Sequence, residues 1–216
     1  MRMRKKKHGA ERIAACASLL FEKPQAPLTD PSEPFDAPRP VSLEIGCGKG
    51  NFACGMAAAH PEVNFFAMER VSDCVCVALE KATERSEERS GDNLRFIIGD
   101  AKTLPEYFAP HTIDTLYLNF SDPWPKAGHA KRRLTHRNFL ALYREVLREG
   151  GLLCLKTDNE GLFDFSLEEF AAAGLTVLWQ TRNLHASEHA EGNVMTEYEK
   201  NFSDKGMPIY SAHVRF

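Results

Sequence analysis

From Val41 onward, short apolar runs alternate with stretches of helical periodicity, and this alternation restricts the fold more than any other feature. It is typical of an α/β domain built on a mostly parallel sheet. The candidate helices cover residues 51–59, 71–89, 135–148 and 159–173. The candidate strands are Val41–Ile45, Asn64–Met68, Leu94–Ile98, Ile113–Asn119, Leu152–Lys156, Leu175–Gln180 and Ile209–Arg215.

Local signals predict where several elements begin and end. Thr135 is a candidate N-cap for the third helix, and Gly150-Gly151 predicts that this helix stops in a left-handed turn. Gly174 predicts the same ending for the next helix. Residues 183–206 are polar and irregular, which indicates a long functional loop.

The first 40 residues differ from the rest of the chain. Six of the twelve prolines lie between Pro24 and Pro40, where neither a helix nor a central strand can persist. We therefore expect residues 1–40 to form a basic arm, a short amphipathic helix and a proline-rich linker. Residues 41–216 are expected to form the main domain.

Charge is distributed unevenly over a chain whose net charge is only -3. Residues 1–12 carry +5 and residues 126–148 carry +6, which leaves -14 on the remainder. Two basic patches on an acidic body indicate a polyanionic partner such as nucleic acid. The alternative is two solvated basic faces without a partner.

Other features exclude several classes of protein. No apolar run approaches the roughly 18 residues of a membrane span, and Ile13–Phe21 is too short for a secretory signal. The six cysteines form no C-x-x-C pair, which predicts reduced thiols in a cytoplasmic protein. His185 and His189 lack a third ligand at a metal-like spacing, so we expect no metal.

A glycine-rich loop occupies the turn from the first strand into the first helix. Its pattern from Glu44 to Gly50 is acid-x-G-x-G-x-G, with Gly46 as the first glycine, and Asn51 breaks the dinucleotide fingerprint. A carboxylate two residues before Gly46 suits a cationic or amino-bearing ligand better than a phosphate. An ordinary tight turn is the alternative.

Two later acids follow the next two strands. Glu69 is placed to accept hydrogen bonds from both ribose hydroxyls, and Asp100 to contact an adenine amino group. Each acid alone is equally well explained as a helix cap. Together with Glu44 they favour a nucleoside ligand without phosphates, a description that S-adenosylmethionine fits and NAD does not.

A loop with two prolines follows the fourth strand, at Asn119–Lys126, and holds Trp124 as either a loop anchor or a base-stacking residue. The chain from Val41 to its end resembles the single-chain bacterial tRNA (guanine-N7-)-methyltransferase family. The matching segments are Glu44–Gly50, Asn119–Lys126, Lys131–Leu134, Lys156–Asn159 and Thr196–Glu199.

That resemblance implies a Rossmann-like class I methyltransferase domain over residues 41–216, with helices on both faces of a seven-stranded sheet whose last strand is antiparallel. It implies methyl transfer from S-adenosyl-L-methionine to N7 of guanine 46 in the tRNA variable loop, which forms 7-methylguanosine. The implied cofactor contacts are Glu44, Gly46, Glu69, Asp100 and Asp122. The implied tRNA contacts are Lys126, Asp158, Thr196, Glu197, Tyr198 and Glu199.

Guanine N7 carries an exposed lone pair, so its methylation requires alignment and no general base. We therefore expect Asp122 to orient the guanine and stabilise the positive charge that develops on it. Asp158, Glu197 and Glu199 are candidates to accept hydrogen bonds from guanine N1–H and its amino group, with Glu199 preferred. The cations expected to bind phosphates are Lys126, Lys131, Arg132, Arg133 and the N-terminal cluster. Ala127 and Gly128 stand where the family often has basic residues, which lowers the expected phosphate binding of that loop.

Three alternatives remain at this stage. A methyltransferase acting on an exocyclic amine matches Asn119–Pro125 in part, and a non-catalytic RNA-binding module would retain the basic patches. A nicotinamide-dependent oxidoreductase is disfavoured by Asn51. The sequence is compatible with a monomer or a homodimer.

Overall fold

Seven strands form one sheet in the order β3-β2-β1-β4-β5-β7-β6 in this computed structural model, which describes residues 6–216. The strands are β1 (Val41–Ile45), β2 (Asn64–Glu69), β3 (Leu94–Ile98), β4 (Ile113–Asn119), β5 (Leu147–Thr157), β6 (Thr176–Thr181) and β7 (Tyr210–Arg215).

Strands β1 to β5 pair in parallel with their neighbours, whereas β7 is antiparallel to both β5 and β6. The predicted α/β class and the seven-stranded, mostly parallel sheet with an antiparallel last strand are confirmed. Because β1 to β4 are parallel, their carboxyl ends meet at one edge of the sheet, where ligands bind in open α/β folds.

Helices cover both faces of this sheet. Consecutive residues of β2 show the alternation, since Phe65 packs in one buried cluster and Phe66 in the other. The first cluster contains side chains of α2 and α3, and the second those of α4 and α5. The helices are α1 (Gly9–Ala15), α2 (Asn51–Ala59), α3 (Ser72–Glu84), α4 (Arg137–Val146), α5 (Glu160–Ala172) and α6 (Glu197–Ser203).

The start of α4 differs from the prediction. His136 is the N-cap, and its Nδ1 accepts a hydrogen bond from the backbone N–H of Asn138 at 3.1 Å. Thr135 is instead fully buried, and its Oγ1 lies 2.8 Å from Oγ of Ser166 on α5. The Thr135 hydroxyl is therefore used for packing α4 against α5, so the cap prediction was wrong by one residue.

The end of α4 was also predicted too late. The helix ends at Val146, and β5 begins directly at Leu147. Gly150 does adopt a left-handed conformation, with φ of +73°, but it does so inside β5 beside an irregularity in the β4–β5 pairing. Gly174 follows the end of α5 with φ of +69°, which confirms the left-handed ending predicted there.

Residues 183–206 are more ordered than the sequence indicates. They contain two short 3-10 turns and α6, which begins with a complete capping box between Thr196 and Glu199. A seven-residue helix is marginal by itself, so its docking against the domain decides its formation. The prediction of an irregular loop was wrong for this stretch.

The N-terminal segment packs against the main domain. Arg12 of α1 forms two 2.6 Å hydrogen bonds with the carboxylate of Glu80 on α3. Farther along, the backbone N–H of Phe21 donates to the carbonyl of Phe96 at 2.8 Å, beside β3. The part of the predicted basic arm that comprises residues 1–5 lies outside the described residues.

Within residues 6–216, no helix combines the length and the apolar character needed to cross a membrane. The same residues contain no group of three or more His, Cys, Asp or Glu side chains arranged to hold a metal ion. All six cysteines are free thiols, and five of them are buried.

Candidate active site

A cavity of about 760 Å³ opens at the carboxyl ends of the central parallel strands. Gly46, Glu69, Asp100 and Asp122 line it, so the structure brings together four of the five residues expected to contact a cofactor. Its volume falls within the range of roughly 300–1,000 Å³ that is usual for small-molecule sites.

Glu44, the fifth of these residues, does not line the cavity: it lies in β1 next to cavity-lining Ile45 and is almost completely buried. Asn119 donates a hydrogen bond from Nδ2 to Oε1 of Glu44 at 2.9 Å. Oε2 has no hydrogen-bond partner among the described residues. Burial raises the pKa of Glu44 to about 7, although Asn119 and Lys156 act in the opposite direction.

The glycine loop depends on backbone conformations that favour glycine. Gly46, Gly48 and Gly50 have φ values of +82°, +54° and +73°. A Cβ added at Gly46 or Gly48 would meet no atom within 4 Å, so the backbone there faces open space that a ligand can occupy. A Cβ at Gly50 would lie only 2.8 Å from Cβ of Ala78, which makes glycine necessary for packing as well.

Glu69 and Asp100 both have local hydrogen bonds in addition to lining the cavity. The Glu69 carboxylate accepts from the backbone N–H groups of Gly48 at 3.2 Å and Val71 at 2.9 Å. Asp100 caps a 3-10 turn by accepting from the backbone N–H of Lys102 at 3.0 Å. The cap interpretation is thus correct for Asp100, and a carboxylate retains further lone pairs for a ligand.

The loop after β4 contains two residues in an unusual conformation. Phe120 and Trp124 have φ values of +52° and +41°, in the left-handed region that side chains other than glycine rarely adopt. Both residues line the cavity. Backbone strain of this kind concentrates at functional sites, where the surrounding structure holds it.

Arg133 and Arg132 hold that loop in place. The guanidinium of Arg133 donates to the carbonyl of Pro123 from Nε and to that of Trp124 from Nη2, each at 3.1 Å. The guanidinium of Arg132 lies 4.8 Å from the centre of the Trp124 ring. Half-buried Trp124 is therefore an anchored wall of the cavity, which supports the loop-anchor interpretation.

Asp122 projects from the same loop. Its side chain is exposed and lines the cavity, and no hydrogen bond to another residue in the range 6–216 holds its carboxylate. The Oγ atom of neighbouring Ser121 is buried without a partner in that range. Asp122 is thus free to interact with bound molecules.

The predicted tRNA-binding residues fall into two groups around the site. Lys126 is exposed on the loop after β4. Tyr198 lies on the other side, where its ring packs 5.1 Å from that of cavity-lining Phe120 and its hydroxyl is 3.4 Å from Oδ2 of Asp158. Asp158 and Tyr198 are therefore adjacent to the cavity, and Tyr198 is 46% exposed.

Glu197, at the start of α6, contacts the glycine loop and the start of α2. Its carboxylate accepts from Nδ2 of Asn51 at 3.1 Å and lies 3.5 Å from Nζ of Lys49 in the glycine loop. These contacts join the first turn of α6 to the first turn of α2. Because Glu197 is exposed, its ion pair contributes little stability.

Glu199 does not face the cavity. It is completely buried, Oε2 accepts from Nζ of Lys156 at 2.8 Å, and Oε1 accepts from Nδ2 of Asn193 at 2.7 Å. Glu199 also completes the capping box with Thr196. The structure therefore leaves no free oxygen of Glu199 at the surface, contrary to our preference for this residue as the one that reads guanine.

Lys156, Asn119 and Asn193 were not identified as site residues from the sequence, and Arg133 was expected to bind phosphate, whereas its guanidinium donates to the loop after β4. A usable signal existed for Lys156, because a lysine within the otherwise apolar run Leu152–Lys156 must find a buried partner. The capping pattern of Thr196 and Glu199 was a second signal. Asn193 carried none, since its contact with Lys156 joins segments distant in sequence.

A family model described as "Putative methyltransferase" matches residues 38–212. The tRNA (guanine-N(7)-)-methyltransferase of Lactococcus lactis subsp. cremoris (strain SK11) is 44% identical over 217 residues, which covers 100% of this chain and 98% of that protein. The enzyme of the same description from Brevibacillus brevis (strain 47 / JCM 6285 / NBRC 100599) is 49% identical over 178 residues, or 82% of this chain and 81% of the relative.

Solved structures show the same architecture at low sequence identity. The crystal structure of the 16S rRNA methyltransferase KamB has a TM-score of 0.62 and is 14% identical, over 82% of this chain and 87% of that one. At this identity the similarity concerns the fold alone. It supports a Rossmann-like methyltransferase architecture.

Proposed function

This chain belongs to the tRNA (guanine-N7-)-methyltransferase family, and as a member it is a methyltransferase that acts on N7 of guanine in tRNA; we propose that its methyl donor is S-adenosyl-L-methionine and its target guanine 46 of the variable loop. A tRNA substrate implies that the enzyme works in the cytoplasm. The observation that carries the proposal is the cavity lined jointly by Gly46, Glu69, Asp100 and Asp122.

The chain offers donors and acceptors that fit S-adenosyl-L-methionine. Three buried polar atoms near the cavity have no partner among residues 6–216, namely Oε2 of Glu44, Oδ1 of Asn119 and Oγ of Ser121. Buried polar groups are normally hydrogen-bonded, and two of these are acceptors that suit an ammonium group. The open space at Gly46 permits close approach of a ligand to the backbone.

Each acid is proposed to hold a different part of that molecule. Glu44 faces the amino-acid end, Glu69 accepts from the ribose hydroxyls, and Asp100 accepts from the adenine amino group. When bound, S-adenosyl-L-methionine supplies an electrophilic methyl group on a sulfonium centre. The protein needs only to align the acceptor with that methyl group and to exclude water.

Asp122 is proposed to be the catalytic residue. Guanine N7 attacks without losing a proton, so no general base is required, and positive charge develops on the purine as the methyl group arrives. A carboxylate beside the ring stabilises that charge electrostatically. Asp122 is suited to this role because its carboxylate lines the cavity and is not committed to another group.

Guanine recognition is proposed to fall to Asp158 with Tyr198. The Asp158 carboxylate is half-buried next to the cavity, and the Tyr198 hydroxyl orients it. An ionised carboxylate accepts two hydrogen bonds, which matches the N1–H and amino donors of guanine. Tyr198 is 46% exposed, its ring stacks on that of Phe202 with 4.5 Å between the ring centres, and Thr196 and Glu199 support the segment that carries it.

Phosphate binding is proposed for the exposed cations Lys126, Lys131 and Arg132, with the N-terminal Lys6 and Lys7. Lys131 and Arg132 line the mouth of the cavity, where a polyanion would approach. Affinity for tRNA should then fall steeply with salt, because each neutralised phosphate releases counterions. Exposed basic side chains at the cavity mouth support this proposal.

Transfer of labelled methyl from S-adenosyl-L-methionine to unmodified tRNA tests the proposal, with the site mapped by cleavage specific for 7-methylguanine. Cleavage at one variable-loop guanine is the expected result. Label incorporated without that cleavage would move the target to another atom, such as an exocyclic amine. If the protein binds the cofactor but incorporates no label, the result would favour the interpretation as a non-catalytic RNA-binding module.

A further inference from the structure

Lys156 is a buried lysine whose three ammonium protons all have acceptors. Its Nζ donates to Oδ1 of Asn193 at 3.0 Å, to the carbonyl of Val194 at 2.9 Å and to Oε2 of Glu199 at 2.8 Å. The same atom lies 4.9 Å from the centre of the Phe52 ring. An ammonium group has only three protons, so none is left for a ligand.

All three acceptors of Lys156 belong to one stretch of chain, the segment 193–199. This stretch leads into α6 and includes the Thr196–Glu199 capping box. Burial lowers the pKa of Lys156, while Glu199 acts in the opposite direction. Removing either member of such a pair leaves an uncompensated buried charge, which is more costly than the pair is favourable.

A second contact attaches the same segment to α2. Val194 packs against the buried cluster that contains Phe52. A Cβ added at Gly55 would lie 2.7 Å from Cγ1 of Val194, which is closer than two carbons can approach. Gly55 therefore provides the space that Val194 occupies, independently of the hydrogen bonds made by Lys156.

Lys156 also supports the opposite wall of the site through its backbone. It pairs with Asn119 in the β4–β5 register, and its carbonyl accepts from the backbone N–H of Phe120 at 2.8 Å. Tyr198, at the start of α6, packs on the Phe120 ring. One residue thus fixes two parts of the site: Phe120 through its main chain and segment 193–199 through its side chain.

We propose that Lys156 is a positioning residue for tRNA binding, which holds segment 193–199 against α2 so that Tyr198 and Asp158 face the substrate. This inference rests on the proposed function. Lys156 touches neither the guanine nor the methyl donor, and Glu199 serves as its buried partner. Loosening the segment should therefore weaken tRNA binding and leave cofactor binding unchanged.

The experiment compares Lys156→Met and Gly55→Ala with the wild-type enzyme. Gly161→Ala is the matched control, because Gly161 also lies in a helix and an added Cβ there would meet only Oδ1 of Asn159, at 3.5 Å. Three quantities are measured: the KM for tRNA, the Kd of S-adenosylhomocysteine, and hydrogen exchange of the backbone amides of residues 196–201.

Lys156→Met and Gly55→Ala should each accelerate exchange in residues 196–201 and raise the KM for tRNA. For Lys156→Met we expect an increase of about tenfold or more, the scale of one lost charge-assisted hydrogen bond. The Kd of S-adenosylhomocysteine is measured at pH 9, where Glu44 stays ionised even without the nearby charge of Lys156. It should stay within about twofold of wild type, a difference well below 1.4 kcal/mol. Gly161→Ala should match wild type in all three measurements.

Unchanged exchange in Lys156→Met, or an equal loss of cofactor and tRNA binding, would overturn the inference. If Lys156→Met does not fold, Glu199→Gln decides by the same criteria, because it keeps the shape of the buried partner of Lys156 and removes only its charge. Failure of the proposed function appears separately, as wild-type enzyme that does not methylate tRNA. The exchange measurement needs no substrate and still reports whether Lys156 holds the segment.

Discussion

The side-chain amide of Asn119 donates a 2.9 Å hydrogen bond to Oε1 of Glu44, and this bond joins the neighbouring strands β4 and β1 next to the cavity-lining residues Phe120 and Ile45. It satisfies only one oxygen of the carboxylate. Burial raises the pKa of Glu44 to about 7, so close to neutral pH the free enzyme holds this group in both protonation states.

Cofactor affinity should depend on pH through Glu44. A bound ammonium group favours the ionised carboxylate, so binding of S-adenosylhomocysteine should tighten as the pH rises from 6 to about 7.5. At most the change is about tenfold per pH unit, as for any single ionisation. Isothermal titration in buffers of different ionisation enthalpy should also detect release of a proton.

Glu44→Gln is the control for that pH dependence. The amide keeps the size of the side chain but cannot ionise, so affinity should be lower and flat between pH 6 and 7.5. A Glu44→Gln enzyme with the wild-type pH profile would assign the ionisation to another group and contradict the role of Glu44.

Asp122→Asn should lower kcat more than it alters binding. The amide retains the shape of the carboxylate but loses the charge that favours a developing positive charge on the purine. We expect kcat to fall roughly tenfold to a hundredfold, a common scale for one electrostatic contact in a transition state. Single-turnover methyl transfer at saturating tRNA measures it, and turnover equal to wild type would exclude the catalytic role.

Arg133→Ala should disturb the loop after β4 without touching the substrate. Without the guanidinium, the carbonyls of Pro123 and Trp124 lose their donors and the left-handed conformation at Trp124 loses its support. We expect a fall of about tenfold or more in kcat/KM, comparable to the loss of one or two hydrogen bonds.

Arg85→Ala is a suitable comparison for Arg133→Ala. Arg85 forms a partly exposed ion pair with Glu88 just after α3, away from the cavity, so its loss should change kcat/KM little. Equal effects of the two substitutions would show that Arg133 has no special relation to the loop.

His213 should make the protein sensitive to acid. The His213 ring lies 4.1 Å from that of Trp179. Burial lowers the pKa of His213 to about 4, and His189 and Lys156 act in the same direction. Below pH 6.5 the unfolded chain binds a proton that the native protein does not accept until about pH 4. This histidine therefore lowers the free energy of unfolding as the pH falls through that interval.

His213→Phe removes this contribution and retains an aromatic ring beside Trp179. The free energy of unfolding of the variant relative to wild type should rise by about 1.4 kcal/mol per pH unit below 6.5. Urea unfolding at pH 7.5, 6.5 and 5.5 measures the difference. Because Glu44 is present in both proteins, its opposite pH dependence cancels, and a difference that does not change with pH would contradict the prediction.

Strand positions were predictable because buried parallel strands are continuous apolar runs. Leu94–Ile98 and Ile113–Asn119 have the predicted bounds. Helix ends were less predictable, because Thr135 uses its hydroxyl for a contact with α5 that no local pattern announces. Tertiary contacts thus decided between two adjacent residues that were both able to cap α4.

The acids of the site were predictable for a topological reason, since the ends of parallel strands meet at one edge. Glu69 and Asp100 therefore share a cavity although they lie far apart in sequence. Glu199 was not predictable in this way, because its burial depends on Lys156, which lies in β5 and 43 positions away in sequence. A charged residue in a polar stretch looks exposed until its partners are known.

The left-handed residues Phe120 and Trp124 have a consequence for how this protein can change. Glycine at either position would relieve backbone strain on the order of 1 kcal/mol. It would also lose the packing of a half-buried aromatic ring, and complete burial of such a ring is worth about 1.5–3 kcal/mol. The same substitutions would delete a ring from the wall of the cavity. Selection for stability and selection for activity should therefore both retain the aromatic side chains, and the backbone strain persists as a consequence of holding these rings in the wall.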